Sequence, residues 1–269
     1  MSGKVVATVK RKSRRTAPKR DKAAQAQVKK SLVRVFFSSR NLNLTYYNDR
    51  FDLHEGDFVY VSGKLDGLMG VVTEVLYCFK IRLSDYERVT ALVDTKVKGE
   101  FYNIGSDFLT FDPSVLPYKK VLSWLRPPEK EKAEYAYGSE SRSFSLDDLS
   151  GMKLSAEDIE KAKFCLEDGR VKYLSVCGTS GRALVLGKQL YEIEFRIHGG
   201  VMTNLFCSCY ETGYCGHSAA AILKLRQVLA CIEESFADEY RKSGCFCVTD
   251  KNMLLKFSIG AKANGKIVF

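Results

Sequence analysis

The stretch Cys207-Ser208-Cys209-Tyr210-Glu211-Thr212-Gly213-Tyr214-Cys215-Gly216-His217 decides how the second half of the chain is read. Cys207 and Cys209 stand two apart at the end of a β-type run. Alternate residues of an extended strand share a face, so both thiols can aim at one point. Cys215 and His217 are also two apart, where a turn enters the helix-forming run Ala219-Ala220-Ala221-Ile222-Leu223-Lys224-Leu225. Gly213 and Gly216 give the connecting backbone freedom to wrap closely. Three thiolates and one imidazole complete a tetrahedral shell for Zn²⁺, with Zn–S near ~2.3 Å. Four protein ligands leave no position for water or substrate, so the expected zinc is structural. The competing reading is four buried or idle side chains.

Upstream, Ser155 is followed three residues later by the acid Asp158, which resembles a capping box. An amphipathic run with Ile159, Ala162, Phe164, Cys165 and Leu166 follows, and Gly169 ends it. Three strand-like runs come next: Val171 to Val176, Ala183 to Leu186, and Tyr191 to Ile197, the last alternating cleanly. The arrangement of Cys-x-Cys, Cys-x-His, hairpin and helix closely resembles the SWIM zinc finger. The resemblance takes in Gly169-Arg170-Val171, Ala183 to Gly187, Tyr191 to Phe195 and His217 to Leu223, about 65 residues in all. The family usually leaves six or more residues between the ligand pairs, and this chain leaves five. The resemblance implies DNA or protein binding, and kinship with the SWIM region of bacterial chromatin-remodelling-type helicases. No Gly-x-x-x-x-Gly-Lys-Ser/Thr loop accompanies it, so ATP hydrolysis is not expected, and the chain reads as a stand-alone accessory protein or a truncated relative of the helicases.

The first half has different text. Val33 to Phe37, Leu44 to Tyr47, Phe58 to Val61, Val71 to Val75 and Phe79 to Leu83 are short β-branched or aromatic runs bounded by turn residues. Five such strands favour a small barrel. Gly56-Asp57-Phe58-Val59-Tyr60-Val61 and Gly70-Val71-Val72 resemble the opening of the barrels in primosomal helicases and SH3-like translation-factor modules. Asp57 reads as a turn former. Phe36, Tyr46, Tyr47 and Tyr60 can stack bases where exposed, and alternate members belong to a core. Trp124 beside Pro127-Pro128 reads as a lid on the barrel edge. Lys, Glu, Ser and Gly then dominate Glu129 to Gly151, a linker composition.

The charge is uneven. Of the formal net +10, all resides in residues 1–30, which hold eleven bases and one acid, Asp21. The remainder carries 31 basic and 31 acidic side chains. The first 30 residues hold no aromatics and little that packs, so a disordered tail is expected. Lys10, Arg11, Lys12, Arg14, Arg15, Lys19, Arg20 and Lys22 are its candidate phosphate contacts, on DNA or RNA. The bland alternative is a solvated tail. No apolar run reaches the ~18–20 residues of a membrane span, and no signal peptide follows the basic start. A cytoplasmic location is expected. In that compartment nine cysteines, an odd number, argue against a disulfide framework. Cys245 and Cys247 then read as core thiols on a strand from Cys245 to Phe257, and Cys78, Cys165, Cys177 and Cys231 as buried. His54 and His198 read as surface or turn residues, and Lys224 with Arg226 as further phosphate contacts.

Together these readings give an α+β chain: a disordered basic tail (1–30), an SH3/OB-like β-barrel domain (31–128), a linker (129–154) and a SWIM zinc-finger domain (155–269). Zn²⁺ is the expected cofactor, with Cys207, Cys209, Cys215 and His217 as ligands. Nucleic acid is the expected partner, with a helicase or other protein as the alternative. No catalytic constellation is found, so no enzyme is expected.

Overall fold

The computed structural model describes residues 28–129, 136, 142–209, 211, 213–260 and 264–268. The tail's eight candidate bases, Lys10 to Lys22, lie outside the described residues, as do 130–135 and 137–141 of the expected linker. The fold is α+β, with two sheets and five α-helices among the described residues.

The first sheet has five antiparallel strands: β1 (Ser31–Phe37), β2 (Leu42–Asn48), β3 (Phe58–Val61), β4 (Met69–Leu76) and β5 (Val89–Leu92). Their order is β2-β1-β4-β3-β5. Val33, Val35 and Phe37 alternate along β1 and pack on Tyr46, Val59, Val61, Val72 and Val89 in one apolar interior. Gly70 lacks a side chain because a Cβ there would run into Val35 and Phe37. The edges β2 and β5 meet at a single bridge, Tyr47 to Arg88, and not along a ladder. The expected closed barrel is therefore not what the strand pairing displays.

Phe79 to Leu83, expected as the fifth strand, is irregular chain ending in a 3-10 turn at Leu83–Asp85. It has no ladder partner among the described residues, and β-propensity alone does not make a strand. Of the aromatics expected to stack bases, Tyr46, Tyr47 and Tyr60 are buried and Phe36 is half-buried.

The second sheet has nine strands. β6 (Lys98–Ile104), β7 (Asp107–Thr110), β8 (Phe144–Ser145), β9 (Val171–Cys177), β10 (Ser180–Leu186) and β11 (Leu190–His198) are joined by β12 (Val201–Cys207), β13 (Cys245–Asp250) and β14 (Asn264–Val268). Their order is β14-β6-β7-β13-β9-β10-β11-β12-β8, antiparallel throughout except for β14 against β6. The stretch 31–128 therefore contributes to both sheets, because β6 and β7 pair with strands from the far end of the chain.

Helices cover both faces of this sheet. α1 (Tyr118–Leu125) and α5 (Lys251–Gly260) lie on one side, where Trp124, Met253, Leu254 and Phe257 pack on Tyr173, Leu184 and Cys247. Trp124 stacks on Phe257 at 5.3 Å and donates from its indole nitrogen to the carbonyl of Asp94 at 2.8 Å. The expected lid is thus a joint between early and late chain. α2 (Ala156–Glu167), α3 (Gly216–Ser235) and α4 (Ala237–Ser243) flank the other side, against Leu174, Val185, Ile193 and Phe246. The run expected as a strand from Cys245 to Phe257 is β13 followed by α5. Asp250 accepts from the amide of Met253 at 2.8 Å and so starts that helix.

Cys177 and Cys245 face each other across the β9–β13 ladder and form a disulfide. This corrects the expectation of a core thiol at Cys245, because the register opposes the two residues directly. Cys247 is a free buried thiol, pushed up to about 11 by burial. Of the other cysteines expected to be buried, Cys165 is, Cys231 is half-buried, and Cys78 and Cys177 are exposed. No helix among the described residues is long and apolar enough to cross a membrane.

Candidate metal centre

β12 delivers Cys207 as its last residue, and Cys209 follows in the turn beyond it. Cys215 is the N-cap of α3, and His217 lies in that helix's first turn. One donor atom from each of the four falls within 4.8 Å of the others. Cys209 Sγ lies 3.4 Å from Cys215 Sγ, which lies 3.8 Å from His217 Nδ1. A tetrahedral centre with metal–sulfur bonds near ~2.3 Å has edges close to ~3.8 Å, and the spread of these donors brackets that value, so the cluster could hold a metal ion. The four residues expected as ligands are thus brought together. Cys215 and His217 are buried, and Cys207 and Cys209 are half-buried.

The capping chemistry of α3 prepares Cys215 for a negative charge. The amide of Ser218 donates to Cys215 Sγ at 3.4 Å, and the Ser218 hydroxyl accepts from the Cys215 amide at 3.0 Å. Cys215 is pushed well below the usual thiol range by the Cys207 thiol, against burial, with His217 and Ser218 assisting. Cys207 is pushed up by the same partnership and then by burial. The helix N-terminus adds its positive end.

Three neighbours hold the ligands. Tyr191 of β11 stacks on the His217 ring at 3.9 Å between centroids. Gly187 makes room for that pair, since a Cβ there would sit 2.8 Å from Tyr191 Cε2 and 3.0 Å from His217 Nε2. Ser208, between the first two cysteines, donates its amide to the carbonyl of Glu192 and accepts from the Glu192 amide on its hydroxyl, each at 2.9 Å. The knuckle is thereby laced to β11.

α2 supports the centre from the opposite side. Ser155 caps α2 by accepting from the Asp158 amide at 3.1 Å. Asp158 returns the bond through Oδ2 and uses Oδ1 to accept from the Gly216 amide at 2.9 Å. Gly216 is needed for space: a Cβ there would meet Lys161 Cδ at 2.8 Å. Gly213 is the glycine that needs conformational freedom, with φ +103°. Spacing alone did not single out Gly187, Tyr191, Ser208 or Asp158 as site residues. Only the capping box at Ser155 and Asp158 had a local signal.

Some basic residues of the folded part are engaged with carboxylates. Lys224, expected at a phosphate, pairs with Asp107, which is 5% exposed. Lys120 pairs with Asp94 at 3.1 Å. Arg226 remains exposed on α3. His54 is exposed, with its amide bonded to Asp57 at the expected turn, and His198 is also exposed. Comparison with protein families, curated proteins and solved structures finds no match to this chain.

Proposed function

We propose that this protein is a zinc-structured accessory protein of the SWIM type that binds nucleic acid and catalyses no reaction. The observation that carries the metal assignment is the closed donor set of Cys207, Cys209, Cys215 and His217. Three thiols and one imidazole suit zinc over harder cations, which prefer oxygen ligands. The four residues would hold the ion between the end of β12 and the start of α3, where it supplies a rigid cross-link and no open coordination position. Nucleic-acid binding draws on the charge distribution, in which residues 1–30 supply the whole net +10. The SH3/OB-like reading of the five-stranded sheet draws on the likeness of Gly56 to Val61 and Gly70 to Val72 to such modules. A cytoplasmic location belongs to the same reading.

The test combines metal analysis with salt-dependent binding. One zinc per chain is expected. The affinity for duplex DNA should fall with salt at a log–log slope near about −5, if roughly half of the eleven tail bases reach phosphate. Replacing the tail bases Lys10 to Lys22 by Ala should flatten that slope. Cys207→Ser should lower stability and leave it almost intact. A specific observation favours a second reading, a protein-interaction adaptor. A groove of about 460 Å³ beside α2 and α3 has a leucine floor of Leu146, Leu166, Leu223 and Leu229 and a polar rim of Asp147, Arg226, Gln227 and Glu233. Absence of nucleic-acid binding at any salt would favour that adaptor.

A further inference from the structure

The end of the first sheet where the chain enters β1 carries an aromatic and basic surface. Leu32 pairs with Leu76, so Lys29 and Lys30, just before β1, lie beside Tyr77, just after β4. The Lys29 ammonium sits 6.0 Å from the centroid of the Tyr77 ring, and that ring is 52% exposed. Phe79 continues the surface and meets Tyr47 edge to face at 6.2 Å. Lys80 and Arg82 are exposed on the same loop.

The charges here are unevenly matched. Arg88 lies over the Tyr47 ring and is held by Asp49 at 2.5 Å, which also draws Arg50 to 3.9 Å. Glu87 accepts from the Ser62 hydroxyl at 2.6 Å, and Asp85 from that of Ser84 at 2.9 Å. Lys29, Lys30, Lys80 and Arg82 have no carboxylate partner among the described residues. An exposed ring, Tyr77, with half-buried Phe79 nearby and unpaired cations beside it matches the two faces of a single-stranded nucleic acid, unstacked bases and phosphates. A duplex buries its bases and can use only the cations. The surface is built on a sheet end and a loop, not on the amphipathic helix that a lipid interface favours.

We infer that single-stranded nucleic acid lies across this surface, with a base stacked on Tyr77 and phosphates on Lys29, Lys30, Lys80 and Arg82. This rests on the nucleic-acid reading above and gives it a place on the folded body. The basic tail leads directly into Lys29 and Lys30, so a strand captured by the tail is delivered to the rings.

The experiment measures binding of the full chain to a fluorescent oligo(dT) and to a duplex of equal length. It uses about 0.3 M salt, where phosphate contacts of the tail are weakened and stacking persists. Tyr77→Ala is expected to weaken oligo(dT) binding roughly tenfold and duplex binding hardly at all. Lys80→Ala with Arg82→Ala should weaken both, and Lys163→Ala on α2 neither. Unchanged thermal melting of these surface variants shows that folding is not the cause. Oligo(dT) binding that Tyr77→Ala leaves unchanged would overturn this surface while nucleic-acid binding stands. No binding to either probe by the unaltered chain at about 0.3 M salt would overturn this surface, and none at any salt would overturn both readings. Tyr77-dependent binding to anionic phospholipid vesicles, without an effect on oligo(dT), would reassign the surface to a membrane.

Discussion

The knuckle at residues 207–217 and the five-stranded sheet reach order by opposite routes. The sheet has an apolar interior, with Val33, Val35, Phe37, Val59 and Val61 essentially inaccessible to water. Each such side chain contributes roughly 1.5–3 kcal/mol on burial, and none is indispensable. The knuckle turns on four polar donors and their bracing by Tyr191, Ser208 and Asp158. Bringing three thiols together without an ion costs desolvation, which burial imposes on Cys207, Cys209 and Cys215 alike. One region fails gradually as methyl groups are removed. The other should fail at once when one ligand is lost.

Metal removal tests that contrast most severely. Chelation, or Cys215→Ser, should remove stabilisation on the order of 10 kcal/mol from the knuckle. Hydrogen exchange should then rise at Leu205 and Ala219 to Ile222 while the amides of Val33 and Val59 stay protected. Equal loss in both regions would mean that they unfold as one unit. Exchange unchanged in both would remove the metal from the argument.

The next effect concerns a polar contact that no ion supports. Lys224→Met strands Asp107 in a nearly dry site and should cost about 3–5 kcal/mol in denaturant unfolding. Adding Asp107→Leu should recover most of that, because an apolar pair of similar volume replaces a buried ion pair well. A double variant no better than the single would show that Asp107 has another essential role.

Two glycines sharpen the comparison at smaller cost. Gly70→Ala pushes against Val35 and Phe37 in the first sheet, and Gly187→Ala against Tyr191 and His217. Each should cost roughly 1–3 kcal/mol as overpacking. Competition with a zinc-binding dye should find weaker metal affinity in Gly187→Ala alone. The smallest change is Arg34→Gln, which breaks an exposed pair with Glu74 at 3.0 Å. It should alter stability by less than about 0.5 kcal/mol.

The same contrast governs how much could be read from sequence. The ligands of the knuckle lie within eleven consecutive residues, so their spacing carried the geometry. The α2 cap at Ser155 and the strands β9 to β11 were legible for the same local reason. The placement of β13 between β7 and β9 was not, since antiparallel pairing of distant segments leaves no mark on either. The Cys177–Cys245 disulfide follows from that pairing and was hidden with it. Phe79 to Leu83 misled because its composition suits a strand, whereas its place is on the surface beside Tyr47. At Asp250 a local signal was present: a cap, followed by Met253, Leu254 and Phe257 at helical spacing.

The central position of β13 has a consequence for synthesis on the ribosome. β7 and β9 emerge long before the strand that separates them, and each must wait with a bare hydrogen-bonding edge. Cys177 precedes its ladder partner Cys245 by 68 positions. At ~5–20 residues per second that interval is on the order of 3–14 s. During it, β9 to β12 can pair among themselves while the flank of β9 and the β6–β7 hairpin stay open to wrong partners. The late strand closes both edges in one event. Newly made chains should therefore need protection from chaperones, or from one another, up to about residue 250.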